Sequence, residues 1–312
     1  MIEYYDLEKK EIKKIETPKN NIWIHLYKPT DEEIINISKI LKIKSDDLED
    51  FKENIKSLED TEEIPLLEKW DSRYFIITRT PQKGTYHAVD YYTHPLGIII
   101  YKEYIITITY YKNETIQSIK TKKCGHSHIN FILKLLLLSS RKYLYYLKEI
   151  DRKIKTVEHN LENKQTNKYI LELLNLEKSL VFFSAALNNN QILYERIYKV
   201  ERFNLKEEHT EIIEDIIDEN RQAIQMTQIY TTIIKDTLDV YGSVISNNLN
   251  TVMKILTSIT IIIAIPTLIA SIYGMNVILP FQGSNFAFEI IMIMCLFFTF
   301  LILTILWKKK WL

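Results

Sequence analysis

Apolar residues along this chain follow three different rhythms, and each rhythm predicts a different kind of structure. Between Ile22 and about Cys124 short β-rich runs alternate with acidic, helix-like ones, separated by Pro, Gly and Asp. The pattern predicts strands at Ile22–Leu26, Tyr74–Arg79, Tyr86–Tyr92, Leu96–Tyr101 and Tyr104–Tyr110, with helices at Asp31–Leu41 and Asp46–Ile55. An α/β domain over residues 1–126 is expected. From Ser127 to about Val200 there is no Pro or Gly, and Leu135, Leu138, Tyr143, Leu147 and Ile150, then a further set from Ile170 to Leu187, take helical spacing. This predicts two long antiparallel helices turning near Asn163–Asn167. A third run starts near Glu207 and carries an apolar stripe through Ile213, Ile217, Ile224, Ile234, Leu238, Tyr241, Ile245 and Val252. A helical stalk over 127–252 follows.

Beyond the stalk, over 253–312, the rhythm gives way to continuous hydrophobicity. Ile255–Tyr273 is 19 residues without a charge, and Phe288–Trp307 is 20 residues whose only Asp, Glu, Lys or Arg is Glu289. At about 1.5 Å per residue both match a hydrocarbon core of roughly 30 Å, which predicts two transmembrane helices joined by a loop over 274–287. No helix breaker lies between Gly242 and Pro266, so the stalk helix and the first span are expected to form one rod of about 100 Å from Glu207 to Tyr273. Lys254 precedes the first span and Lys308, Lys309 and Lys310 follow the second, while the loop has no Lys or Arg. The charge bias places both termini in the cytoplasm, in a multi-pass protein of the cell membrane, with Trp307 and Trp311 as interfacial anchors.

Composition sharpens this reading. The 40 basic and 40 acidic side chains cancel, so there is no concentrated basic face of the kind a nucleic-acid partner needs. Cys124 and Cys295 fall in a polar loop and a membrane span, which argues against a disulfide framework. Residues Met1 to Glu16 are studded with Glu, Asp and Lys, so membrane insertion is expected to depend on the C-terminal spans. No Gly-rich phosphate loop and no nucleophile–base pair is visible; neither an enzymatic role nor an organic cofactor is expected.

The candidate chemistry lies on the rod. Steps of three and four from Asp239 give Ser243, Ser246, Asn250, Met253, Thr257, Thr260, Ala264, Thr267, Ser271 and Gly274, nearly all small or polar, while the rest of the span is mostly Ile and Leu. Helix packing is one reading, because small residues and Ser/Thr are common where membrane helices meet. A water-filled pore is the other, and it accounts for the stripe continuing through Asn250 and Asp239 below the membrane. One helix cannot enclose a pore, so several copies around an axis are required. Pro266 leaves the Ile262 carbonyl without its usual partner, as either a kink or a pore-facing group.

Tyr273-Gly274-Met275-Asn276 closes the first span; Ser246-Asn247-Asn248-Leu249-Asn250-Thr251-Val252-Met253-Lys254 precedes it, and Lys308-Lys309-Lys310-Trp311-Leu312 ends the chain. Together these strings resemble the CorA family of magnesium channels. The resemblance extends to Glu63-Ile64-Pro65-Leu66-Leu67-Glu68 and to Asp215-Ile216-Ile217-Asp218. It implies a funnel-shaped homopentamer in the lipid bilayer, gated by cytoplasmic Mg2+, with the α/β domains as a bell and the first span lining a pore for divalent cations. Gly274, Met275 and Asn276 would be the selectivity filter, Asn250 and Thr267 further pore contacts, and Met253 and Leu256 a hydrophobic constriction. Asp215 and Asp218 match positions for a regulatory Mg2+ between subunits, against the simpler reading of a solvated acidic face. Their partner on the α/β domain is blurred: the matching position is Ser57, with Asp60 and Glu59 beside it. The outer loop Val277–Asn285 is neutral where many relatives are acidic, so capture by charge is expected to be weak.

Two other functions compete: transport of Zn2+, Co2+ or Ni2+ on the same fold, and a non-conducting membrane sensor of cations. Cys124-Gly125-His126-Ser127-His128 gathers zinc-type ligands but lacks a fourth, and His25, His87 and His94 are expected to be ordinary core or surface residues.

Overall fold

Alternation in one strand sets the layering of the first unit. In Ile22–Tyr27 the side chains of Ile22, Ile24 and Leu26 enter one core and Trp23 enters another, all fully buried, so the sheet is covered on both faces. The computed structural model describes residues 1–7, 12–16, 22–60, 64–70, 73–86, 89–122, 128–163, 167–199, 207–281, 283 and 285–311. In chain order the elements are β1 (Ile2–Asp6), β2 (Lys13–Ile15), β3 (Ile22–Tyr27), α1 (Asp31–Ile40), α2 (Leu48–Lys56), β4 (Leu66–Trp70), β5 (Arg73–Tyr86), β6 (Val89–Tyr101), β7 (Tyr104–Thr109), α3 (Glu114–Ile119), α4 (His128–Asn163), α5 (Asn167–Lys199), α6 (Glu207–Tyr273) and α7 (Ala287–Lys308).

The seven strands form one sheet in the order β2-β1-β3-β7-β6-β5-β4, with β3 and β7 parallel and every other pair antiparallel. One face packs Ile34, Ile37 and Leu41 from α1 and its end, with Phe51 and Ile55 of α2, against Ile24, Ile99 and Ile106. Helix α1 starts where it does because Thr30 and Glu33 close a reciprocal capping box that satisfies two orphan N–H groups. The other face packs Phe131 and Leu135 of α4, Leu193 and Tyr194 of α5 and Ile213 and Ile216 of α6 against Trp23, Ile76 and Ile98.

The expected strand Tyr86–Tyr92 begins on the end of β5, and its part from Val89 joins the expected Leu96–Tyr101 in a single strand, β6, that runs through Pro95 and Gly97. Its partner β5 likewise passes Pro81 and Gly84. Both prolines are tolerated because β4 pairs β5 only up to Ile77 and β7 pairs β6 only from Gly97. Beyond those points the pair is a two-stranded arm, where a missing N–H interrupts no second ladder. At Gly97 the approach is close: a Cβ there would sit 2.5 Å from Leu58 Cδ1, so a larger residue would displace that leucine in the core. The expected helix Asp46–Ile55 begins as a short 3-10 turn, Ser45–Asp47, before α2. Strands β1, β2 and β4 and helix α3 were not expected.

The described chain divides into two compact units, Met1–Lys235 and Asp236–Leu312. Within the second, α7 and the end of α6 are each long and apolar enough to cross a membrane. The expected turn at 164–166, His87, Glu63 and Cys124 to Ser127 lie outside the described residues.

Candidate ion pathway and control site

Helix α6 continues through Pro266 to Tyr273, and its terminal turn is closed by a hydrogen bond from the Gly274 N–H to the Ala270 carbonyl, 2.9 Å. A Cβ at Gly274 would lie 3.3 Å from that carbonyl, so a side chain here would crowd the helix end. Met275 and Asn276 follow immediately, and all three residues are exposed.

Ser243, Asn250, Met253, Thr257, Thr260, Ala264, Thr267 and Ser271 are likewise exposed on α6, as are Asp239 and Leu256. Between Ser243 and Tyr273 the residues shielded by their own chain are Ser258, Ile261, Ile262, Ile265, Pro266, Ile269 and Tyr273. At about 100° per residue the centres of these two sets lie about 145° apart around the helix. The small and polar stripe is open, but so are the bulky Ile255, Ile259, Ile263 and Leu268, and only a narrow strip opposite the stripe is partly covered by its own unit.

The hydroxyls of Ser243, Thr260 and Thr267 donate to carbonyls four residues back, at 3.0, 2.9 and 2.9 Å. Each proton is thus engaged inside the helix, and the oxygen is left to present lone pairs outward. A face built this way accepts hydrogen bonds, and so complements the outward-pointing hydrogens of water bound to a cation.

Asp215 and Asp218 are exposed on α6, and Asp60 is exposed after the turn that follows α2. The three are not brought together: among the described residues no group of three His, Cys, Asp or Glu side chains could hold a metal ion. Asp218 does have a neighbour. Arg221 Nη1 lies 3.8 Å from its Oδ1, while Arg221 Nη2 lies 3.4 Å from Glu195 Oε1 on α5. Arg221 carries a sequence signal in its i, i+3 spacing from Asp218. Glu195 carries none, because its approach depends on how α5 packs against α6. That packing is fixed by the buried Asn220, whose Nδ2 donates to the Leu187 carbonyl at 3.0 Å and to Gln191 Oε1 at 2.9 Å.

His25 and His94 are core residues, whereas His159 is exposed. His25 is buried beside Thr107, 2.9 Å from its Oγ1, and burial together with the nearby Lys120 charge pushes its pKa down to about 4. His94 stacks on Tyr111 with ring centroids 3.8 Å apart; burial and the Arg79 charge bring it to about 4 as well. Burial opposes ionisation of Glu3, but hydrogen bonds from Lys120, Lys14 and Tyr5 overcome it and hold the carboxyl at about 2. These groups serve the sheet and have no place on the stripe.

The sequence model of the family described as "CorA-like Mg2+ transporter protein" matches residues 18–310. The "Cobalt/magnesium transport protein CorA" of Methanocaldococcus jannaschii is 30% identical over 302 residues, covering 93% of this chain and 91% of the relative. A solved structure described as the complete CorA magnesium transporter of the same organism superposes with a TM-score of 0.85 at 26% identity, covering 100% of this chain and 99% of that one. Full-length CmaX shares the fold, with a TM-score of 0.73 at 10% identity over 96% of each chain. The chain belongs to the CorA-like Mg2+ transporter family.

Proposed function

We propose, from that membership, that the chain is a subunit of a homopentameric channel that passes hydrated Mg2+ across the cell membrane along the open face of α6. The single observation that carries the reading is that this face, from Asp239 to Ser271, is small, polar and acceptor-rich, and ends at Gly274, Met275 and Asn276.

Mg2+ gives up its water reluctantly, so a filter that recognises it without dehydration must bind the hydration shell. A ring of Asn276 amide oxygens at the mouth does this, and Thr267 and Asn250 repeat the contact further along. Thr257, Thr260, Ala264 and Ser271 keep the path narrow and wettable between them. Met253 and Leu256 form an apolar constriction that closes by dewetting. With both termini in the cytoplasm, the membrane potential drives a doubly charged ion inward by roughly 4.6 kcal/mol per 100 mV.

Asp215 and Asp218 supply carboxylate oxygens of the hardness that Mg2+ takes, and two donors from one chain leave positions for donors from a neighbouring copy, Asp60 among them. Bound there, cytoplasmic Mg2+ bridges carboxylates that otherwise repel each other and holds the closed state.

The test is uptake of Mg2+ into proteoliposomes, repeated with Co2+, Ni2+ and Zn2+ as competitors. Mg2+ flux that the other metals only partly inhibit supports the reading. Flux of a transition metal with none of Mg2+ would replace the substrate, and cation binding without flux would make the chain a sensor. Cobalt is the competitor to watch, since the 30%-identical relative is described as a cobalt/magnesium transport protein.

A further inference from the structure

Arg221 stands between two carboxylates that belong to different helices, 3.4 Å from Glu195 and 3.8 Å from Asp218. Both distances exceed that of a tight charge-assisted hydrogen bond, and the guanidinium is more than half exposed. It donates a long hydrogen bond to Glu195 and makes only a looser ion pair with Asp218, so its charge is shared unequally between the two. The surface cleft they share is lined also by Tyr198, Lys199, Glu214 and Ile217. Tyr198 donates to Glu214 Oε1 at 3.2 Å, which engages that acid separately.

We infer that Arg221 is a built-in competitor of the regulatory cation: with no metal bound its charge is shared between Glu195 and Asp218, and it is left to Glu195 alone when the metal arrives. The inference rests on the reading of Asp215 and Asp218 as the control site and goes beyond it by naming what sets the cation concentration to which that site responds. A divalent ion and a guanidinium cannot share one exposed carboxylate without repulsion, so binding the ion to Asp218 requires Arg221 to leave. Glu195 makes leaving inexpensive, because the charge keeps one partner instead of losing both. Arg221 acts through Asp218 and is a positioning residue.

The experiment is limited proteolysis of the full-length protein across a Mg2+ titration, read as the concentration that gives half-maximal protection. Four proteins are compared: the parent, Arg221→Gln, Glu195→Gln and the double variant. Exposed ion pairs are weak, so shifts of about threefold are expected. Arg221→Gln lowers the midpoint by that factor. Glu195→Gln raises it, since Arg221 then has only Asp218 to hold. In the Arg221→Gln background, Glu195→Gln changes nothing, because its effect passes through the guanidinium. A simple field effect would give the same Glu195→Gln shift in both backgrounds, and that result overturns the inference. So does an Arg221→Gln midpoint equal to the parent's.

Asp215→Asn/Asp218→Asn, run alongside, separates this failure from that of the control site. If that variant is protected by Mg2+ as the parent is, the site reading itself falls. If it loses protection while Arg221→Gln leaves the midpoint unmoved, only the competitor falls.

Discussion

In the unit Met1–Lys235 the buried amide of Asn190 is tied across the sequence: its Oδ1 accepts from Thr78 Oγ1 at 3.1 Å and from the Arg79 N–H at 3.0 Å, and its Nδ2 donates to the Arg79 carbonyl at 2.8 Å. In the unit Asp236–Leu312 the hydroxyls of Ser243, Thr251, Ser258, Thr260 and Thr267 reach no further than the carbonyl four residues back. Apolar residues divide in the same way. Trp23, Phe131 and Tyr194 are fully buried by their own chain, whereas Ile263 and Leu268 are each 62% exposed and only Ser258 and Leu306 are buried among the described residues of the second unit. The first unit is completed by itself. The second leaves its apolar side chains uncovered by its own chain, as a membrane span does, and on the function proposed above its polar groups keep acceptors in reserve for a passing ion.

This contrast breaks first at Asn190. Asn190→Ala leaves a buried hydroxyl and an N–H short of a partner at about 1 kcal/mol each, while the Arg79 carbonyl keeps the Tyr143 hydroxyl, so it should cost about 2 kcal/mol of stability. Thr267→Ala removes a bond made within one turn and should change stability by less than about 0.5 kcal/mol. Denaturant unfolding of the purified protein compares the two. Equal costs would mean that the polar groups of both units are held alike.

Function should divide the other way. A hydrogen bond to a charged partner is worth about 1.5–3 kcal/mol, so Asn276→Ala should reduce Mg2+ uptake at least about tenfold. The same variant should keep its unfolding midpoint and its elution on size exclusion, because Asn276 is exposed at the end of α6. Uptake near that of the parent would remove Asn276 from the filter.

A gentler test uses pH. His25 and His94 are held near 4, below the ordinary imidazole value of 6.5, so between these limits the unfolded chain binds protons that the folded body refuses. Their contribution is complete above pH 6.5 and is lost as pH falls toward 4, with a slope approaching about 1.4 kcal/mol per pH unit for each histidine. Denaturant midpoints between pH 7 and 4.5 measure it. The described part of the second unit has no histidine, so uptake normalised to folded protein should not follow this slope. A flat stability curve would show that both rings titrate freely.

How much of this was legible follows from where the information lies. Helices α4, α5, α6 and α7 announce themselves because apolar spacing or continuous hydrophobicity runs unbroken for 22 to 67 residues. Strand β1 is five residues and acquires its identity from pairing Tyr4 with Ile24 and Ile15, which no local pattern encodes. Pro81 and Pro95 read as breakers, and only the absence of further neighbours along the β5–β6 arm explains why they break nothing. At the candidate site the stripe is legible because it repeats along one helix, and Asn276 because it ends the string Tyr273-Gly274-Met275-Asn276 that carries the family resemblance. The Glu195–Arg221 contact is not, because it needs the packing of α5 on α6, set by the buried amide of Asn220.

The smallest expected effect concerns the mouth of the second unit. Residues Val277–Phe281, Gly283 and Asn285 are described beyond Asn276, and the loop through Ala287 contains no Asp or Glu, with Glu289 the first acid after it. Screening weakens an attraction only where charge does the attracting, and at physiological ionic strength it acts over about 8 Å. A mouth that collects cations through amide and carbonyl oxygens has little long-range field to lose. Uptake at fixed Mg2+ should therefore fall by less than about twofold when external salt rises from 20 to 150 mM with a monovalent salt, whereas an acidic mouth steers its ion through a steep salt dependence. Glu289→Gln supplies the internal comparison, since it deletes the one acid near the loop. If the parent shows a steep fall that Glu289→Gln abolishes, Glu289 is a capture site and the mouth is not neutral in effect. If both variants are equally flat, attraction begins at the filter itself, and the second unit selects its ion by the same short-range hydrogen bonding that leaves its open face poor in long-range partners.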